Sequence, residues 1–421
     1  MEHLQKDDPE IADLVIKEEA RIENTLNLIA AENHAPRSVM AVMGSIFNTK
    51  TIEGYPGNRF HAGCEYVDMV ERLAIERAMN LFGAQYANVQ PHSGTSANLA
   101  VYFSVLNIGD RVLAMSLPHG GHLSHGHKAS ITSKCFNFEH YMVDPQTELI
   151  DYDLVRKMAL KFKPKMIVAG ASSYPRLIDY ERMAAIAKEV SAYLLADIAH
   201  LAGLVAAAVI PSPVTHCDFV TLTCYKTMMG GRGGVILAKN DYATQINRAV
   251  FPGGQGTSAV SLIAAKALIF KLAAEPKFTQ LQHKTVENAS LMAQCLADKG
   301  YRLVTGGTEN HQVVVDLESK NISGSVAETL LEASGIVLNR NVVPQDAQRP
   351  GHVSGLRIGT GAVTVRGMRK TEIIQIVEWI HQVLKQPENL AAHLHVRDAV
   401  KEMCGRFPVY AKGYDLLSDE A

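Results

Sequence analysis

Four short stretches of the chain carry side chains whose types and order could do chemistry together. In "TCYKTMMGGRGG" (223–234), Lys226 stands between a short apolar run and a glycine-rich turn. A lysine there is placed to meet a molecule bound at the end of a sheet. In a partly closed pocket it sheds its proton more readily and can form a Schiff base with a carbonyl. The plainer alternative is a lysine that contacts phosphate or solvent. Asp197 ends the apolar run "AYLLAD". A carboxylate at the tip of a buried strand is costly unless paired. An ordinary buried ion pair would satisfy it, and so would the protonated pyridine nitrogen of pyridoxal phosphate.

"NVQPHSGTSANLAVYFSVL" runs from a strand-like piece through Ser93, Gly94 and Thr95 into a helical pattern. Free amides at a helix start, together with small hydroxyls, bind anions; N-capping alone accounts for the pattern equally well. The histidines of "LPHGGHLSHGH" (His119, His122, His125, His127) invite a metal reading. In a glycine-broken loop their spacing fixes no shared face, and no acidic or cysteine ligand lies nearby in sequence, so no metal is expected. A flat imidazole stacked on an aromatic cofactor is the more economical reading. Each signal is weak alone. Their order (anion loop, histidine, strand-end aspartate, lysine one strand later) describes a pyridoxal phosphate site. A nicotinamide site fits poorly, because no G-x-G-x-x-G opens the first strand–helix unit, and no Walker-type loop is present.

The elements that must position these residues read as α/β. The runs "RVLAMSL", "KMIVAG", "AYLLAD", "DFVTLT" and "GGVILAK" alternate with helical patterns such as "YERMAAIAKEV". Continuous apolar strands predict a mostly parallel sheet covered on both faces, with ligands beyond its carboxyl ends. Val67, Val70, Leu73, Ala74, Ala78 and Leu81 recur at helical spacing between Cys64 and Phe82. After "FPGGQGT" a long helical stretch breaks near Pro276, and strands ("HQVVVDL", "LRIGTG") then mix with helices ("SVAETLLEAS", "TEIIQIVEWIHQVL"). The expected organisation is a helical arm over 1–50, a large cofactor-binding domain over 51–275 and a smaller α+β domain over 276–421.

A chain of 421 residues suits two domains. A formal net charge of −2 gives no reason to expect nucleic acid or an acidic membrane surface as partner. The six cysteines are scattered, which points to a reducing cytoplasm, and the start "MEHLQKDDPEIADLV" does not read as a signal peptide. "YLLADIAHLAGLVAAAVI" contains Asp197 and His200 and reads as buried strand and loop, not as a membrane span.

The sequence resembles the serine hydroxymethyltransferase family over nearly its whole length. The stretches that carry the resemblance are "LIAAEN", "EGYPGNRFHAGCEYVD", "ANVQPHSGTSAN", "HGGHLSHG", "DIAHLAGLVAAA", "GGRGGVILAK", "AVFPGGQG" and "SGLRIGTGAVTVRG". The resemblance implies a fold-type I pyridoxal phosphate enzyme with a seven-stranded-type large domain, working as a homodimer with shared active sites. It implies that the cofactor is held covalently at Lys226, with Asp197 on the pyridine nitrogen, His122 stacked on the ring and His200 near the cofactor oxygen. Ser93, Gly94 and Thr95 would hold the phosphate, helped by Gly256 of the other subunit. Ser172 and Tyr225 would also meet the cofactor. Arg357 would grip the substrate carboxylate, and Ala31 and His61 would lie near the substrate. Glu53 of the other subunit would be the acid–base carboxylate. Leu117, Gly121, Leu123 and Asn341 would line a pocket for tetrahydrofolate, the co-substrate.

The departures from the family pattern fall on the same site. The family has serine at Ala31, tyrosine at Thr51, a tyrosine pair at Phe60 and His61, histidine at Tyr225, glycine and proline at Thr257 and Ser258, and proline at Gly361. These changes keep other readings open: a folate-independent aldolase or transaldolase, an α-methylserine enzyme, an aminotransferase-type or oxidative activity, or a non-catalytic paralogue. The retained Glu53, Leu117, Leu123 and Asn341 favour hydroxymethyl transfer with folate.

Overall fold

The computed structural model describes residues 2–348 and 351–410. Its centre is a seven-stranded sheet of β1 (Tyr86–Asn88), β2 (Arg111–Met115), β3 (Asn137–Tyr141), β4 (Met166–Gly170), β5 (Tyr193–Asp197), β6 (Phe219–Thr223) and β7 (Gly234–Ala238). The strand order is β1-β7-β6-β5-β4-β2-β3, and only β7 runs antiparallel to its neighbours. The five apolar runs read from sequence are β2 and β4 to β7. Every residue of β4, β6 and β7 is buried, as a sheet covered on both faces requires. Alternation within the strands divides the core. Leu113, Ile167, Leu194, Val220 and Val235 point to one face, and Val112, Met166, Leu195, Phe219 and Ile236 to the other.

Helices cover both faces. Among them are α1 (Glu65–Phe82), α2 (Gly94–Val105), α3 (Tyr180–Glu189) and α4 (Val260–Ala273). The expected break at Pro276 is real. Pro276 is the first residue of α5 (Pro276–Asp298), where a missing N–H costs nothing. This helix joins two cores: Phe278 packs with the large sheet, whereas Met292 and Leu296 pack with the C-terminal elements. The second sheet is antiparallel, β8 (Arg302–Leu303), β9 (Gln312–Asp316), β10 (Asn339–Asn341) and β11 (Gly355–Gly359), in the order β8-β9-β11-β10. The N-terminal segment contributes to this second core. Leu26 and Asn27 pair with Ile336 and Val337, and Leu26 and Leu28 are fully buried beside them.

The strand register places the chemistry. Gly170 lies opposite Asp197, and Asp197 opposite Thr221, so β4, β5 and β6 end along one edge. Gly234, at the start of the antiparallel β7, lies opposite Thr223 on that edge. No helix among the described residues is long and apolar enough to cross a membrane.

Candidate active site

The carboxyl edge of the sheet gathers nine of the residues read from sequence into one pocket: Ser93, Gly94, Thr95, His122, Ser172, Asp197, His200, Tyr225 and Lys226. Asp197 occupies its floor. Its Oδ2 accepts from Asn98 Nδ2 at 2.8 Å and lies 3.0 Å from His125 Nε2, and its Oδ1 accepts from the Ala199 amide at 3.0 Å. Burial pushes this carboxyl up. The His125 hydrogen bond, the nearby His122 and the Asn98 amide outweigh burial and hold it well below the usual carboxylate range. Asp197 is therefore a fixed anion facing the pocket.

The anion cup is built by α2. Ser93 caps the helix, its Oγ accepting from the Ser96 amide at 3.1 Å while Ser96 Oγ accepts from the Ser93 amide at 2.8 Å. The Gly94 and Thr95 amides, in the first turn, have no intrahelical acceptor. Glycine is required here by contact. A Cβ on Gly94 would stand 2.7 Å from Thr223 Cγ2, and one on Gly234 would stand 2.2 Å from Ser93 O. The cup is thus packed directly on the ends of β6 and β7.

Lys226 follows β6 and is buried, yet among the described residues its Nζ has no hydrogen-bond or ion-pair partner. Burial lowers its pKa to about 8; Asp197 opposes that shift and Arg357 adds to it. Its neighbour Thr227 anchors the turn, donating to His200 O and accepting from the Gly203 amide, each at 2.9 Å. The Tyr225 ring carries Arg232 at 4.6 Å and Lys226 Nζ at 6.0 Å. A prediction follows from the lowered pKa. The unprotonated amine is the form that bonds to an aldehyde, so the rate at which apoenzyme takes up pyridoxal phosphate should rise with pH through a midpoint of about 8 and level off about one unit above it. Stopped-flow absorbance from pH 6.5 to 9.5 checks this; a rate still climbing steeply at the top of that range contradicts it.

His122 is half-buried beside Asp197 and His125. Its Nδ1 accepts from the Ser124 amide at 3.2 Å, and burial lowers its pKa to about 4. The ring is neutral at physiological pH, which suits stacking on a charged heteroaromatic ring. His200 Nε2 lies 3.3 Å from Ser172 Oγ. Burial first, then the Lys226 and Arg357 charges, hold its pKa well below the ordinary histidine value. Arg357, on β11, brings the second sheet to the pocket. Its Nη1 donates to Ser172 O at 2.8 Å and its Nε to Asn339 Oδ1 at 3.2 Å. Its Nη2 has no partner among the described residues. Burial lowers its pKa to about 10, so it stays charged.

Other residues lie elsewhere. Glu53 and Gly256 do not line the Lys226 pocket; they meet each other, with 3.8 Å between Glu53 Oε1 and a Cβ built on Gly256. His61 is exposed, and Ala31 is half-buried next to Ala30. Leu117 lines a neighbouring hollow that shares His122. Gly121 packs so tightly on Met115 O that a Cβ would come within 2.2 Å. Leu123 is 52% exposed, and the Asn341 side chain donates to Val342 O. The Leu117–His119 turn packs against the turn that begins at Pro344, just beyond Asn341.

Two residues escaped the sequence reading. The loop spacing of His122 and His125 does bring their rings together, with centroids 5.6 Å apart. His125 Nδ1 accepts from the His122 amide at 3.3 Å, which leaves Nε2 as the donor to Asp197. The judgement that the spacing fixes no shared face is corrected for this pair. Its signal was the H-x-x-H spacing, and the Gly120 and Gly126 turns (φ +113° and +88°) fold the loop back. The second residue is His311, stacked on His200 at 5.6 Å and donating from Nε2 to Ala30 O at 3.2 Å. Nothing local in "NHQVVVDL" marks it.

The residues present fit pyridoxal phosphate. The cup offers unspent amides to a phosphate, Asp197 offers a fixed negative charge to a ring nitrogen, His200 Nδ1 is buried without a partner, and Lys226 faces the space between. This arrangement, on a parallel sheet with one antiparallel strand, places the molecule among the fold-type I pyridoxal phosphate enzymes. The family model for serine hydroxymethyltransferase matches residues 4–380. A serine hydroxymethyltransferase of Methanosarcina barkeri (strain Fusaro / DSM 804) is 50% identical over 411 residues, which cover 97% of this chain and all of that protein. The chain belongs to the serine hydroxymethyltransferase family, and it is a pyridoxal-phosphate-dependent transferase of the glycine hydroxymethyltransferase type with tetrahydrofolate as co-substrate.

Proposed function

We propose that the Lys226 pocket, completed by a second copy of the chain, is where serine and tetrahydrofolate become glycine and methylene-tetrahydrofolate. The observation that carries this reading is the unpaired Lys226 amine set in one pocket with the fixed Asp197 anion and the open amides of α2. The bound cofactor supplies an electron sink for the pair left on Cα when the Cα–Cβ bond breaks. The chain's own residues do the rest. Ser93, Gly94 and Thr95 hold the phosphate, Asp197 keeps the ring nitrogen charged, and His122 covers the ring. Ser172, His200 and Tyr225 position the cofactor beside Lys226. Arg357 presents its free Nη2 to the substrate carboxylate, with Ala31 and His61 shaping the space around the substrate. Leu117, Gly121, Leu123 and Asn341 line the folate side.

Cleavage needs a base for the substrate hydroxyl proton. Glu53 takes that role from the second copy, accompanied by Gly256 at the phosphate. Their mutual contact away from their own Lys226 pocket supports this assignment. So does the apolar Phe60, whose amide donates to Glu53 O and which is 75% exposed, as a side chain that a partner covers would be. The working unit is then a homodimer, and its place is the cytoplasm.

The test is complementation. Lys226→Ala homodimers should be inactive in serine cleavage, and Glu53→Gln homodimers should be strongly impaired with a measurable residual rate while still binding the cofactor. Mixing them should restore about a quarter of wild-type activity, because half the dimers become mixed and each mixed dimer carries one intact site. No recovery after verified subunit exchange would show that Glu53 serves the Lys226 of its own chain.

A further inference from the structure

Glu53 sits on a segment whose backbone is anchored from several directions. Ile52 O accepts from Arg59 Nη1 at 2.9 Å, and Glu53 O accepts from the Phe60 amide at 3.1 Å. Gly54 O accepts from Arg59 Nη1 at 2.7 Å and from Gln90 Nε2 at 3.0 Å. Arg59 is in turn buried against Asp68 and Glu71. Gly54 has φ +92°, and a Cβ there would stand 2.4 Å from Asn58 O, so the turn admits no other residue without moving. All these anchors lie on the Arg59 and Gln90 side.

The link to Gly256 is different. The Ile52 amide donates to Thr257 Oγ1 at 2.8 Å, and the next hydroxyl, Ser258 Oγ, donates to Gln90 O at 2.7 Å. Among the described residues, the Thr257 hydroxyl is the one direct hydrogen bond between the 255–258 turn and the 52–54 segment. The Glu53 carboxylate has no hydrogen-bond partner of its own there, so its location is set by its backbone.

We propose that Thr257 is a positioning residue: its hydroxyl fixes the Glu53 segment against Gly256 and thereby sets where the Glu53 carboxylate enters the second copy's site. This rests on the reading of Glu53 as the acid–base carboxylate. The physical demand is clear. Proton transfer needs heavy atoms within about 2.6–3.2 Å. Glycine, the residue that the resemblance gives at position 257, has no hydroxyl, so the bond from the Ile52 amide depends on the threonine that stands there in this chain.

The experiment compares Thr257→Val and Thr257→Ser, each alone and with Glu53→Gln, using the full-length holoenzyme. Thr257→Val should lower kcat for serine cleavage about tenfold, the scale expected for a displacement under 1 Å. The serine KM and the cofactor dissociation constant should stay within about twofold. Thr257→Ser should restore kcat. In the Glu53→Gln background Thr257→Val should cost nothing further, because the group it positions is gone. An unchanged kcat in Thr257→Val overturns the proposal, and so does an equal loss with and without Glu53. Thr257→Gly, which removes the hydroxyl without adding apolar bulk, replaces the valine variant if that protein does not fold. Full activity of Glu53→Gln alone would remove the underlying reading and the proposal with it, an outcome distinct from failure of Thr257→Val.

Discussion

Lys226→Ala should abolish the visible absorbance of covalently held cofactor and lower serine cleavage by at least about 10³-fold, the upper range of what a positioned acid–base or nucleophilic side chain contributes. The effect is large because no other lysine among the described residues lines the pocket. Lys266 is buried too, but its Nζ is spent on the carbonyls of Val89, Pro91 and Gly234 at 2.6–3.1 Å. The fold should survive. Lys226 Nζ makes no hydrogen bond among the described residues, and the turn around it is held by Thr227 and by the Gly230 amide on Cys224 O at 2.6 Å. A spectrum taken after gel filtration, together with a thermal melt, separates loss of the bond from loss of the fold. Retention of the absorbance would remove Lys226 from its role.

Asp197→Asn should be nearly as severe, lowering kcat/KM about 10²–10³-fold, as when a preorganised charge is removed from a buried site. The carboxylate accepts from Asn98, His125 and the Ala199 amide at 2.8–3.0 Å. An asparagine would turn an amide N–H₂ toward a donor or toward the pocket, and it would leave the cofactor nitrogen without its counter-charge. Thr221 Oγ1 orients Asn98 by donating to its Oδ1 at 2.6 Å, so the carboxylate is supported by a second layer of bonds. The check is kcat/KM alongside cofactor affinity. Activity within a few-fold of wild type would mean that the Asp197 charge is not used.

Much of this site was legible in the sequence because its residues sit at punctuation points. Asp197 and Lys226 each follow a continuous apolar run, and Ser93 precedes a helical pattern after a strand. The five buried strands announced themselves in the same way. β3 did not: "NFEHY" is half-exposed at the sheet edge, so no apolar run marks it. Sites assembled by tertiary packing were silent. His311 reaches His200 from the second sheet, and Leu26 and Leu28 join a core whose other members are C-terminal. Thr257 is visible as an unusual residue beside "FPGGQG", but only the fold shows that it holds Ile52. The departures at Thr51 and Phe60 have no structural explanation in terms of the reaction.

The most direct measurement of the central claim is turnover of L-serine, L-threonine, L-allo-threonine and α-methylserine by the purified enzyme, each with and without tetrahydrofolate. Serine should turn over with tetrahydrofolate to give glycine and methylene-tetrahydrofolate in equal amounts, with little cleavage when folate is left out. Inert serine, with rapid folate-independent cleavage of another of these amino acids, would contradict the account and mark the altered residues as the seat of a different reaction.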